Sequence, residues 1–263
     1  MSRPQRKKTL PRSPRFGSSF LGKGASRFRF RSYLFSRNGL PYIMGLTPGV
    51  AAALHHLRSK DPTLGAWIRR IGPCEIERSP GGFRALARAI IFQQVSGAAG
   101  TSIYRRVCTA GGRGSFPKAS WFLEAPLETL RTSGLSPQKS TYLRDLAHRV
   151  DSGELDFGHL GALSDEEVIE ELTQVHGVGR WTAQMYLLFH MGRPNVLPTG
   201  DLGVRKGVQR VYGYRSLPSE GTVRRHGRRW DPFCSLGSYY MWRSLEIDPQ
   251  DQAISQEIPP ARS

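Results

Sequence analysis

After residue 44 the apolar residues of this chain recur at intervals of three and four, and no stretch alternates apolar with polar for the length of a strand. That pattern predicts amphipathic helices. "TPGVAAALHHLRS" reads as a helix with Pro48 in its first turn, where the missing N–H does no harm. A second helix is predicted at 64–71. In "GGFRALARAIIFQQVSG", Phe83, Leu86, Ile90 and Ile91 share one face, and "AAGTSIYRRVCTAGG" follows as a helix that stops at paired glycines. "SWFLEA" and "PLETLRT" are short helices, and "SPQKSTYLRDLAHRVDSG" is a longer one with Pro137 at its start and Gly153 past its end. "LSDEEVIEELTQV" opens with a capping box, Ser164 three residues before Glu167. "GRWTAQMYLLFHMG" is strongly apolar, the stretch after Asp201 is helical to near Gly213, and "SLGSYYMWRSLE" closes the pattern. The fold class is all-α, with a helical body over 45–250 and a polar tail over 251–263. "LRTSGLSPQKSTYL" and "LTQVHGVGRWTAQMYL" both run helix, glycine turn, helix; the first lacks the second glycine and implies no ligand.

Composition adds a partner class. A chain of 263 residues suits one large or two small domains, and 38% hydrophobic residues suffice for a core. The net charge of +17 is uneven: residues 1–44 hold eleven Lys or Arg and no acid, leaving +6 on the rest. A basic body points to an anionic partner, nucleic acid before an acidic membrane surface. Residues 1–44 cannot bury enough apolar surface to order themselves. They read as a phosphate-clinging arm, a transit peptide, or sequence upstream of a start at Met44. The expected compartment follows that choice: cytoplasm or nucleoid in a bacterium, nucleus or organelle if the segment is a targeting signal. Cys74, Cys108 and Cys234 are too few for a disulfide scaffold and fit a reducing compartment. They cannot supply the four thiolates of an iron–sulfur cluster or an all-cysteine zinc site. With no C-x2-C or H-x3-H pair, no side-chain metal site is expected. No apolar run approaches the roughly 20 residues of a membrane span.

Two stretches carry candidate chemistry. In "LPTGDLGVRKG", Pro198, Thr199 and Gly200 break the chain before Leu202, Val204, Val208 and Val211 resume helical spacing. Asp201 thus stands where an N-cap belongs, and capping is the default explanation of such an aspartate; a chemical role is the alternative. In "LTQVHGVGRWTA", Gly177 and Gly179 flank Val178, and Arg180 and Trp181 begin the next helix. Glycine permits a tight turn and close backbone approach, and a helix start presents unpaired N–H groups. Such a hairpin can grip a phosphate without reading a base. It can equally be an ordinary turn between helices.

Taken in order, "ARAIIFQQVS", "GVGRWTA", "VLPTGDLGVRKGV" and "RRWDPFCSLGSYYMW" resemble the helix-hairpin-helix, Gly/Pro-rich loop, Asp superfamily of base-excision DNA glycosylases. Within it they are most similar to the 3-methyladenine DNA glycosylase II (AlkA-type) branch, over about residues 60–247. The resemblance implies two helical subdomains with the active-site cleft between them and the hairpin at about 165–192. It assigns Asp201 as the catalytic carboxylate, at the mouth of an aromatic slot. Trp181, Trp242 and Tyr239 become the base pocket, with Tyr240 a further candidate. Gln94 becomes the wedge that fills the duplex when a nucleotide is flipped out, and Gly177, Gly179 and Thr182 the backbone grip. The expected partner is double-stranded DNA containing alkylated bases, bound by a monomer away from any membrane. No cofactor is implied beyond a Na+ or K+ ion at hairpin carbonyls. Relatives that also cut the strand carry a lysine where this chain has Trp181, and Lys206 lies five residues past Asp201. The implied enzyme is therefore monofunctional, hydrolysing the N-glycosidic bond without lyase activity.

The chain departs from the branch prototype in two ways. Gln94 is polar where the prototype is apolar, and residues 1–60 show no strand pattern where the prototype has a β-rich domain. Two other readings stay open: the same fold acting on deaminated or oxidised bases, and a non-catalytic helix-hairpin-helix protein that only binds DNA. The last would need neither carboxylate nor aromatic pocket.

Overall fold

The structure is a computed structural model and describes residues 48–74, 79–111 and 114–247. The basic extension and the polar tail lie outside the described residues. Twelve α-helices and no strand occur among those described. They are α1 (Pro48–Lys60), α2 (Pro62–Ile71), α3 (Phe83–Phe92), α4 (Gly97–Ala110), α5 (Ala119–Glu124), α6 (Leu127–Thr132), α7 (Pro137–Asp151), α8 (Asp165–Thr173), α9 (Arg180–Tyr186), α10 (Leu202–Tyr212), α11 (Glu220–Trp230) and α12 (Cys234–Ser244).

Local chemistry accounts for most of these boundaries. Asp61, Ser96, Ser136, Ser164, Asp201 and Ser219 each cap a helix by accepting the backbone N–H three residues on. The capping box at Ser164 and Glu167 forms as its spacing predicts. Gly213 ends α10 in the left-handed conformation.

The helices sort into two subdomains. Helices α3 to α9 pack around α7, while α1, α2, α10, α11 and α12 form the second group, with α10 laid along α12. Close approach of that last pair is set by two glycines. A Cβ on Gly207 would lie 2.3 Å from Met241 O, and one on Gly203 would lie 2.7 Å from the Trp242 ring. The subdomains meet where α9 runs on as a π-helical turn, Leu187–Met191, and puts Phe189 on Trp242 of α12 with ring centroids 5.7 Å apart. Such single π turns are frequent at functional sites.

One helix was not legible in the apolar pattern. Helix α11 offers only Val223 and Trp230 as large buried side chains, and its other buried positions are His226 and Gly227. The Ser219 cap was the available signal.

Candidate active site

Asp201 sits at the seam between the two subdomains. Its side chain caps α10, and the residue is 7% exposed. Oδ1 accepts the Val204 N–H at 2.7 Å and the Trp242 indole N–H at 2.8 Å. Oδ2 accepts the Trp181 indole N–H at 2.7 Å. Three N–H donors therefore converge on one carboxylate, and two are tryptophans 20 and 41 residues away.

These donors differ in their freedom. The Val204 amide belongs to the helix, and Trp242 is buried and stacked on Phe189. Trp181 stands 43% exposed at the start of α9. Oδ2 is thus roofed by one ring that can turn into solvent without opening the core. An open slot between Trp181 and Trp242 is not what the structure holds: both indoles close on the carboxylate. A cavity of about 310 Å³ lies elsewhere, lined by residues that include Leu54, Arg58, Ile68 and Gly72. Tyr239 is buried on α12 and meets Tyr240 edge-on at 5.3 Å. The Tyr240 hydroxyl donates to Gly72 O at 3.0 Å.

The hairpin lies where α8 turns into α9. Val178 is buried, Gly177 and Gly179 are exposed, and Thr182 is buried in the first turn of α9. Gly177 has φ +81°, and a Cβ there would sit 2.1 Å from the Tyr142 ring of α7, so both conformation and space require glycine. Asp145, also on α7, accepts the His176 backbone N–H at 2.8 Å. Arg180 is held by Glu166 at 2.5 and 2.7 Å, which turns its charge back onto the protein.

Gln94 projects from the turn after α3, exposed and with φ +54°; it is the one non-glycine residue in the left-handed region among those described. Such a backbone costs about 1–3 kcal/mol unless its surroundings enforce it. Two contacts do so. Lys139 Nζ donates to Ile91 O at 2.7 Å at the end of α3, and Gln93 Nε2 donates to Gly177 O at 2.7 Å. The turn bearing Gln94 is thereby tied to the hairpin. Gln93, Lys139 and Phe189 were missed by sequence reasoning. Only the glycines of "GVRKG", at helix-packing spacing, could have pointed toward the Trp242 contact.

A helical fold with a hairpin, a Gly/Pro loop and an aspartate at the junction of two subdomains defines the class of helix-hairpin-helix repair proteins. The comparisons agree. Residues 87–232 match the family model described as HhH-GPD superfamily base excision DNA repair protein, and the chain belongs to that family. It is 29% identical over 196 residues to DNA-3-methyladenine glycosylase 1 of Schizosaccharomyces pombe, covering 73% of this chain and 86% of the relative. The solved structure of the S. pombe 3-methyladenine DNA glycosylase (Mag1) in complex with abasic DNA superposes with a TM-score of 0.68 at 29% identity, over 74% of this chain and 97% of that one. A DNA-3-methyladenine glycosidase of Bacillus halodurans gives 0.69 at 30% identity, over 78% and 91%.

Proposed function

We propose that this protein is a monofunctional DNA glycosylase that flips alkylated purines such as 3-methyladenine out of duplex DNA and hydrolyses their N-glycosidic bond. The observation that carries this reading is the asymmetry of Asp201: Oδ1 is fixed by Val204 and buried Trp242, whereas Oδ2 is covered only by the exposed Trp181. As the glycosidic bond breaks, positive charge builds on the deoxyribose. An anionic oxygen held beside the sugar stabilises that charge and orients a water for attack. Trp181 turns away to admit the nucleotide, and its indole face then stacks on the base. A base alkylated at N3 or N7 is already cationic, so it is held by cation–π attraction and leaves without protonation. That suits a carboxylate whose contacts are three N–H donors and no second acid.

The exposed Gly177–Gly179 turn grips a phosphate, and Gln94, pinned through Gln93 and Lys139, fills the gap in the duplex. A Na+ or K+ ion at the hairpin carbonyls is part of this proposal. Gly177 O and Val175 O each receive one N–H and keep a lone pair, and such an ion would add positive charge beside the phosphate. The measurement that tests this function is release of 3-methyladenine, 7-methylguanine, hypoxanthine and 8-oxoguanine from matched duplexes. Asp201→Asn should slow release of the methylated bases at least about 10²–10³-fold while still binding an abasic-site analogue. Unchanged release rejects the mechanism. No product adduct should be trapped by borohydride, since Trp181 offers no amine for a Schiff base.

A further inference from the structure

Helix α11 carries a feature that the Asp201 site does not use. It buries Val223, His226, Gly227 and Trp230, and it presents Arg224, Arg225, Arg228 and Arg229 to solvent. None of these four makes an ion pair among the described residues, and their one side-chain hydrogen bond runs from Arg225 Nη2 to Thr222 Oγ1 at 3.3 Å. Elsewhere Arg131, Arg149, Arg180, Arg193 and Arg243 are each matched by a carboxylate. Helical spacing sets Arg224 over Arg228 and Arg225 over Arg229, and like charges so placed are mutually destabilising. Such crowding weakens the helix unless an anion relieves it.

The position of the helix points to the anion. Its first turn leans on the loop that delivers Asp201: Thr199 Oγ1 donates to Glu220 Oε2 at 3.0 Å, and Leu197 packs against Gly227. The helix that bears the arginines is therefore anchored to the loop that delivers Asp201. A membrane surface would require large apolar side chains on the same face, and the exposed positions here are Glu220, Gly221 and the four arginines. Guanidinium groups spaced along a rigid helix instead match the phosphates of a duplex, which they bind bidentately.

We propose that the exposed face of α11 is a second backbone-binding surface for duplex DNA, taking phosphates that flank the nucleotide presented to Asp201 and reading no base. The inference rests on the DNA reading of the Asp201 site but concerns a separate surface. Its test uses the full chain with Arg224→Ala/Arg228→Ala and, independently, Arg225→Ala/Arg229→Ala. Binding to duplexes of about 10 and about 30 base pairs carrying an abasic-site analogue is measured across salt concentrations. On the long duplex each pair should lower the slope of log affinity against log salt by about 0.9 for every phosphate no longer neutralised, and so by up to about 2. Affinity for the short duplex and the excision rate at saturating enzyme should not change.

An unchanged slope on the long duplex overturns the proposal, even if the patch then proves to hold an acidic protein. Equal losses on both duplexes overturn it too, because the arginines would then act through the Asp201 site. Should either alanine pair fail to fold, the matching Arg→Gln pair gives the same readout. Failure of the glycosylase reading is distinguishable, since it would appear in Asp201→Asn excision and leave the salt slopes of the arginine pairs untouched.

Discussion

Asp201 and Asp61 begin as the same local structure. Each caps a helix, each gives Oδ1 to the backbone N–H three residues on, and each accepts an indole N–H. Around Asp61 the second oxygen accepts the Tyr212 hydroxyl at 2.5 Å and the Trp230 indole at 3.2 Å, and the residue is 0% exposed. Tyr212 stacks on His226 with centroids 3.7 Å apart, so the whole cluster is closed by rings that cannot move separately. Around Asp201 one of the rings is Trp181, nearly half exposed. Capping and indole contacts therefore do not distinguish a sealed carboxylate from one that a turning ring can uncover. What distinguishes them is whether a partner can leave.

Paired substitutions sharpen that contrast. Asp201→Asn, whose loss of excision is the largest effect expected, should alter stability by no more than about 1 kcal/mol, because Asn also caps well and the amide it turns toward Trp181 meets a ring free to move. Asp61→Asn should do the reverse. Its amide must face both the Tyr212 hydroxyl and the Trp230 indole, a buried N–H that cannot accept, at a cost of roughly 2–4 kcal/mol. Excision per folded molecule should stay normal. Chemical denaturation and single-turnover excision of both variants check the pair, and a matching loss of activity in Asp61→Asn would break the comparison.

Acid should single out the sealed cluster next. Burial pushes the His226 imidazole down to about 4; nearby Asp61 opposes this, and Arg229 and Arg225 reinforce it. The folded state then holds fewer protons on this group than the unfolded chain, whose imidazole titrates near 6.5. The contribution is complete above about pH 6.5 and is lost as pH falls toward about 4, by roughly 1–3 kcal/mol. Unfolding midpoints from about pH 7 to about pH 4 for wild type and His226→Gln should diverge over that window; parallel curves would reject the assignment.

The smallest effect concerns the tie between the Gln94 turn and the hairpin. Gln93→Met removes the donor to Gly177 O and should weaken binding of an abasic-analogue duplex by about 1 kcal/mol. A 2-aminopurine opposite the lesion should report less unstacking. Gln93→Lys, which can still donate, should restore both readings.

Much of the molecule was legible because its rules are local. Ser164 with Glu167, Pro137, Gly213 and the period of "FRALARAIIF" each act within a few residues, so helix identity and ends followed from neighbours alone. Helix α11 escaped because four arginines and a glycine dilute its apolar face to Val223 and Trp230, which lie seven residues apart. The π turn at 187–191 escaped because it depends on Phe189 meeting Trp242 across the subdomain seam.

The chain by itself thus determined every described α-helix but α11, the capping box at Ser164, and the place of Asp201 at a helix start, a place that Asp61 proves to share. Tertiary packing decided which of them is sealed. Asp61 draws Tyr212 and Trp230 from 151 and 169 residues away, whereas Asp201 is roofed by Trp181, only 20 residues distant but left at the surface. Hydrogen-bond capping is written into four consecutive residues, but solvent access belongs to whatever the rest of the chain packs on top.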